Sequence, residues 1–223
     1  MVEFASQRSL SSNEFKPNKM TPYLFYKIIN KLTYKIVHFN HKICTWIILK
    51  GNNVQFTKYR VTGIPYIMVA RGGKCRIGKN FAMNNGIKGN PIGCYQKCTI
   101  FVDRGAELII GNNVGISQTA LICTKKITIE DYVKIGGGVC VYDTDFHSLN
   151  PSIRKSVEDL KHRKQKEVLI KENVFIGAHS IILKGVTIGK NSIVGAGSVV
   201  TKSIPDNEIW AGNPAKFIKK ITE

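Results

Sequence analysis

The chain has 223 residues, enough to bury a substantial core as one or two domains. Hydrophobic residues make up 43% of it, which fits a folded protein, and no run of about 18 uncharged apolar residues exists, so no membrane-spanning helix is expected. Lys and Arg number 33 against 15 Asp and Glu, a formal net charge of +18 that calls for a polyanionic partner such as nucleic acid, an anionic membrane or a phosphate-bearing ligand, without choosing among them.

Residues 1–18 read as a polar arm without the apolar centre of a secretory signal. Residues 20–50 read as helix, because Leu24, Ile28, Leu32 and Ile36 recur at helical spacing beside a basic stripe of Lys27, Lys31 and Lys35. Two roles are open for this segment: lying on an anionic membrane surface, or packing against the rest of the fold or a neighbouring subunit, with Trp46, Ile47, Ile48 and Leu49 capping a core. Six cysteines (Cys44, Cys75, Cys94, Cys98, Cys123 and Cys140) contain no C-x-x-C pair, so neither zinc nor another metal is expected and the thiols are read as reduced.

From residue 51 the texture changes to strands and turns. Ile77 and Met83 open a six-residue step, Ile110, Ile116 and Ile122 restart it, and after one extra residue it resumes at Ile129, Ile135 and Val141. The step is clearest at Ile170, Ile176, Ile182, Ile188, Val194 and Val200. Four residues after each comes Val174, Ser180, Val186, Ser192, Ser198 and Ile204, and glycine follows three of the six (Gly177, Gly189, Gly195). A six-residue period is neither helical nor that of a strand pair. It marks a solenoid in which three six-residue strands make one coil. Branched side chains then stack inward from coil to coil, and Gly or Asn turns supply left-handed backbone at low cost. The division expected is an arm and helix over 1–50, a solenoid over 51–205 and a cap over 206–223. One stretch, 143–168, carries almost no inward ladder; insertions in repeat proteins emerge as loops on one face, often the binding face.

The hexapeptide array, the excursion with YDTDFHSL and the closing AGSVVTKSIPDNEIWAGNPAK together resemble the hexapeptide-repeat acyltransferases, in particular the branch that O-acetylates sugars. The resemblance covers roughly residues 75–220. It implies a left-handed parallel β-helix, acetyl-CoA as acyl donor, a homotrimer with sites between subunits, no metal, and a cytoplasmic setting in capsule, exopolysaccharide or O-antigen assembly. It also implies that His147 is the general base of a direct transfer, a task that suits a histidine near neutral pH. Asp145, two residues before it, is the expected orienting carboxylate, since i and i+2 share a face in extended chain.

Carried over position by position, the family's CoA groove falls on Ala178 and Ala196, which leave room for pantetheine, on Thr201 and Lys202 at the nucleotide end, and on Lys216 and Lys219 near the CoA phosphates. Ser117, Gln118 and Arg154 are the candidate acceptor contacts. The chain departs from the simple sugar acetyltransferases in its longer loop, its basic helix, and His147-Ser148 where they have His-Pro, which leaves the acceptor open. Two alternatives stand beside O-acetylation: N-acetylation of an amino sugar, and a non-catalytic basic binding module. Nucleic acid is not the expected partner, because no recognition helix or aromatic stacking platform is evident.

Overall fold

The computed structural model describes residues 21–92 and 96–222. The polar arm at 1–18 and Cys94 therefore lie outside the described residues. The chain falls into two units, one ending at Ile36 and one running from Val37. A single helix, Pro22–Gly51, contains the end of the first and the start of the second; it holds no acidic residue in its first turn and ends on Lys50.

From Val54 the second unit is a left-handed parallel β-helix, wound against the right-handed habit of ordinary strand crossovers. Its first sheet stacks Gln55–Phe56, Lys74–Ile77, Glu107–Ile110, Lys126–Ile129, Val168–Ile170 and Thr187–Ile188. The second stacks Tyr59–Thr62, Phe81–Asn84, Gly115–Ser117, Lys134–Gly137, Phe175–Ile176 and Ile193–Val194, then the C-terminal pair Glu208–Ala211 and Lys216–Lys220. The third stacks Tyr66–Val69, Thr99–Val102, Ala120–Cys123, Cys140–Tyr142, Ile181–Ile182 and Val199–Val200. Every pairing is parallel except the last, between Glu208–Ala211 and Lys216–Lys220. Three edges separate the sheets. We call the first-to-second turn the first edge, the second-to-third turn the second edge, and the third-to-first turn the third edge.

The ladders explain the six-residue step. Ile110, Ile129, Ile170 and Ile188 stand in register on the first sheet, and Ile116, Ile135, Ile176 and Val194 on the second, all buried. Each contributes about 1.5–3 kcal/mol of apolar burial. The serines four residues on are buried too, and their hydroxyls are spent on backbone: Ser180 Oγ donates to the Gly177 carbonyl at 2.9 Å and Ser192 Oγ to the Pro205 carbonyl at 2.6 Å. At the first edge, asparagines in left-handed conformation bond one another across coils, Asn173 to Asn191 at 3.2 Å and Asn191 to Asn207 at 2.8 Å.

Two details differ from the expected ladder. Ile122 faces outward; the third-sheet ladder runs through Leu121, which pairs with Val141. The irregularity lies one corner earlier, where Gln118 takes a left-handed turn at φ 46° and shortens the step from Ile116. Among the residues expected to cap the core from the helix, Leu49 is buried and Ile48 partly so, but Trp46 and Ile47 are exposed. At the far end Trp210 packs partly buried on the core and Ala215 is buried. The five described cysteines are free thiols; burial pushes Cys98 up to about 11 and Cys75 up to about 12, so neither is a thiolate at neutral pH.

The ladder makes a firm prediction. Ile188→Asp places an unpaired carboxylate in a fully buried column and costs about 4 kcal/mol or more; circular dichroism and thermal melting should show an unfolded or strongly destabilised chain, and a variant with wild-type melting would mean the ladder is misassigned.

Candidate active site

The excursion leaves the third edge after Tyr142 and returns at Val168. Its root is Asp143, which is buried and accepts hydrogen bonds from the Thr124 N–H and hydroxyl, both at 2.8 Å, and from the Lys125 N–H at 2.7 Å. Two further ties hold the loop to the coils: Arg163 to Asp103 at 2.5 Å, and the Gln165 amide to the Thr124 carbonyl at 3.3 Å. Inside it, a helical turn Pro151–Arg154 is capped by Asn150, whose side chain accepts from the Ser152 and Ile153 N–H groups. A 3-10 turn follows over Asp159–His162.

His147 sits near the start of this loop with its side chain 63% exposed, and its Nδ1 lies 2.6 Å from Asp159 Oδ2. Asp159, only 14% exposed, also accepts from the Ser148 N–H at 2.7 Å. The sequence departure at Ser148 thereby acquires a reason: a proline there would have no N–H to give. The His147 ring and the Ser148 N–H together hold the Asp159 carboxyl below the usual carboxylate range. With Nδ1 engaged, Nε2 is the ring nitrogen left to act on a bound molecule.

Asp145 is not the orienting carboxylate. The chain between it and His147 is a tight turn rather than extended, with Phe146 at φ 62° and the His147 N–H donating to the Asp145 carbonyl at 2.7 Å. Alternation therefore fails, and the Asp145 side chain pairs instead with Lys184, one coil along the third edge. Its other oxygen, Oδ2, is buried without a hydrogen-bond partner among the described residues. Arg154 also differs from expectation: its Nη1 donates to the Ser148 carbonyl at 3.0 Å, bracing the backbone beside His147.

The remaining candidates lie on other parts of the surface. Ser117, Gln118, Ala178 and Ala196 fall along the second edge. Ser117 and Gln118 are buried; Ser117 Oγ accepts from Asn84 at 3.2 Å and Gln118 Nε2 donates to the Asn90 carbonyl at 3.1 Å. Ala178 and Ala196 follow directly on a glycine column, Gly136, Gly177 and Gly195, that stands in register on neighbouring coils. A Cβ on Gly136 would stand 2.6 Å from the Ala178 nitrogen, and one on Gly177 2.5 Å from the Ala196 nitrogen, so the glycines are demanded by the approach of neighbouring coils. Over three successive coils these two positions hold Gly136-Gly137, Gly177-Ala178 and Gly195-Ala196, a strip with no side chain larger than a methyl that we call the furrow. Thr201 and Lys202 are exposed on the third edge, one coil beyond Lys184. Lys216 and Lys219 are exposed on the last strand of the second sheet. His147 and the alanine column thus occupy different edges of one chain.

Two structural features escaped the sequence reading. Asp159 is twelve residues from His147 in a segment with no period to register it. After Asn84 the chain leaves the second edge in a further excursion, described over 85–92, where Asn90 meets Gln118; its Gly-rich run was a usable signal. Among the described residues no cluster of His, Cys, Asp or Glu is arranged to hold a metal ion, and no helix is long and apolar enough to cross a membrane.

Coils and ladders define a hexapeptide-repeat β-helix, and its long loop carries a histidine held by a carboxylate. Residues 167–202 match the family described as Bacterial transferase hexapeptide (six repeats). Two galactoside O-acetyltransferases are similar: that of Lactococcus lactis is 42% identical over 103 residues, 46% of this chain and 47% of the relative, and that of Escherichia coli is 35% identical over 125 residues, 56% and 59% respectively. The chain thus spans about half the length of these curated relatives. Among solved structures, an N-acyltransferase from Bacillus cereus, in complex with dTDP-4-amino-4,6-dideoxyglucose and coenzyme A, superposes with a TM-score of 0.60 at 26% identity, covering 78% of this chain and 87% of that one.

The direction of the Asp159 shift sets a pH dependence. A depressed carboxyl adds stability that is present above its unfolded pKa, about 3.9, and is lost as pH falls through the lower folded value. The loop should therefore resist proteolysis across neutral and mildly acidic pH and loosen below that range. Asp159→Ala should loosen it at neutral pH, read as several-fold faster tryptic cutting at Lys155 and Lys161 with the solenoid intact; equal cutting rates would separate Asp159 from loop order.

Proposed function

We propose that this protein is an acetyl-CoA-dependent acetyltransferase that acts on a sugar hydroxyl, with His147 as general base. The observation that carries the reading is the exposed His147 imidazole, oriented through Nδ1 by a carboxylate that itself is held by Ser148 and by the loop's own turns. Similarity to two galactoside O-acetyltransferases supports the acceptor class. The complex named for the Bacillus cereus relative, with coenzyme A and a nucleotide-linked sugar, supports a ternary site.

In the proposed step His147 Nε2 takes the proton of the acceptor hydroxyl as its oxygen attacks the thioester carbonyl. Asp159 stabilises the imidazolium that forms and fixes which nitrogen faces the substrate. Collapse of the tetrahedral intermediate breaks the C–S bond, and the imidazolium returns the proton to the leaving thiolate, giving free CoA and an acetyl ester. No acyl-enzyme is needed. Asp145, held by Lys184, supports the loop backbone that presents His147, and Ser117 and Gln118 at the second edge are the candidate acceptor contacts. The pantetheine arm lies in the furrow of Ala178 and Ala196, with Thr201, Lys202, Lys216 and Lys219 toward the nucleotide and its phosphates. The furrow and His147 lie on different edges, which is compatible with the homotrimer that the family resemblance implies, its sites combining the second edge of one copy with the third edge of the next. The use of acetyl-CoA places the reaction on the cytoplasmic side, and sugar intermediates of surface polysaccharides are the substrates in view.

One observation favours a second reading. The Bacillus cereus relative is an N-acyltransferase in complex with an amino sugar, and an amine acceptor would use the same base.

Thiol release from acetyl-CoA over a panel of sugars and amino sugars tests the proposal. His147→Ala should lower kcat by about 10²- to 10⁴-fold, and Asp159→Asn should lower kcat within that range while the KM for acetyl-CoA changes little. Full turnover in His147→Ala would contradict the base assignment, and an amino sugar as the best acceptor would favour the second reading.

A further inference from the structure

The first edge carries a feature that acetyl transfer does not use. A cleft of about 1040 Å³ lies between the helix segment from Phe39 to Trp46 and the first turns of the coils, at the upper end of ligand-sized pockets. Phe39, Ile43 and Trp46 line one wall and remain 63%, 42% and 50% exposed. Lys42, Lys58, Arg60 and Lys134 supply its charges, and no carboxylate is among the lining. None of the four cations forms an ion pair among the described residues; Lys134 Nζ donates only to the Asn113 carbonyl, at 2.7 Å. The walls are tied together, since the Tyr59 hydroxyl donates to the Lys42 carbonyl at 2.8 Å and the Gly63 N–H to His41 Nδ1 at 3.1 Å.

An open cleft with an aromatic and aliphatic wall facing four unneutralised cations is complementary to a molecule that is anionic at one end and apolar at the other. Tryptophan beside lysine is the combination that sits at the headgroup level of a bilayer, and an anionic lipid surface rewards each nearby cation. A soluble phosphate would leave the apolar wall wet, and a plain apolar chain would leave the cations unmatched. We propose that this cleft seats an anionic membrane lipid, its phosphate against Lys58 and Arg60 and its acyl chain along Phe39, Ile43 and Trp46. The site is peripheral anchorage, and it stands or falls apart from acyl transfer because its test needs no turnover.

The test uses the full chain carrying Trp210→Phe, so that of the two tryptophans only Trp46 reports. Vesicles of phosphatidylcholine are compared with vesicles containing phosphatidylglycerol whose acyl chains carry bromine. The expected result is binding and Trp46 quenching only with the brominated anionic lipid. Lys58→Glu with Arg60→Glu should weaken that binding about tenfold or more, and a matched pair on the helix, Lys27→Glu with Lys31→Glu, should cost less; circular dichroism checks that each variant folds. Equal binding by wild type and the cleft variant, or no quenching of Trp46, would overturn the proposal. So would displacement of vesicles by inorganic phosphate alone, which would make the cleft a simple anion site. A changed oligomeric state in the cleft variant, measured by sedimentation, would overturn it in favour of a second copy of the chain.

Discussion

The spacing between stacked coils is the constraint on which the rest depends. Parallel strands set it at about 4.8 Å, and at that spacing only certain residues fit in each column. Inside, branched side chains meet their equivalents one coil away, so Ile170 stands on Ile129 and under Ile188. At the second edge the backbones approach so closely that a Cβ on Gly177 would meet the Ala196 nitrogen. Core and furrow are therefore two consequences of one repeat: the branched residue fills the inside, and the small residues beside it leave the outside smooth.

A rigid prism with three edges lets separate devices be mounted without disturbing the core. The third edge bears the loop of His147, the second bears the small-residue furrow, and the first bears the basic cleft. The loop is long, yet it is not left to itself. Asp143 is locked to Thr124 and Lys125, Arg163 grips Asp103, Lys184 holds Asp145, and Arg154 braces the Ser148 carbonyl. Much of the acidic side of the loop is spent on these ties. Asp159 is the carboxylate left to meet the histidine, at the cost of one backbone N–H from Ser148.

The fold was legible because its physics is periodic. Each coil repeats the same burial, so Ile176, Ile182 and Ile188 announce inward positions by spacing alone. The error at Ile122 came where the period breaks: a left-handed turn at Gln118 alters the step, and Leu121 takes the inward place. The site was legible only in part. His147 stood out because its segment breaks the ladder and YDTDFHSL resembles the family's loop, but the partner of its ring, Asp159, is set by loop conformation, which no period records. Alternation favoured Asp145, and a single left-handed residue, Phe146, undid that inference by turning the chain between them. In the proposed homotrimer, residues split between the second and third edges would work across two copies, a relation that neither periodicity nor one chain's contacts records.

The account rests most directly on where a labelled acetyl group goes. Acetyl-CoA labelled in its acetyl group would be incubated with the full chain and a panel of sugars, and the product treated with hydroxylamine, which cleaves acetyl esters and spares amides. The account predicts a labelled, hydroxylamine-sensitive sugar that forms with wild type and not with His147→Asn. A labelled product that resists hydroxylamine would move the reaction to an amine, and neither labelled product nor acetyl-CoA binding would contradict the assignment of acetyl transfer to this site.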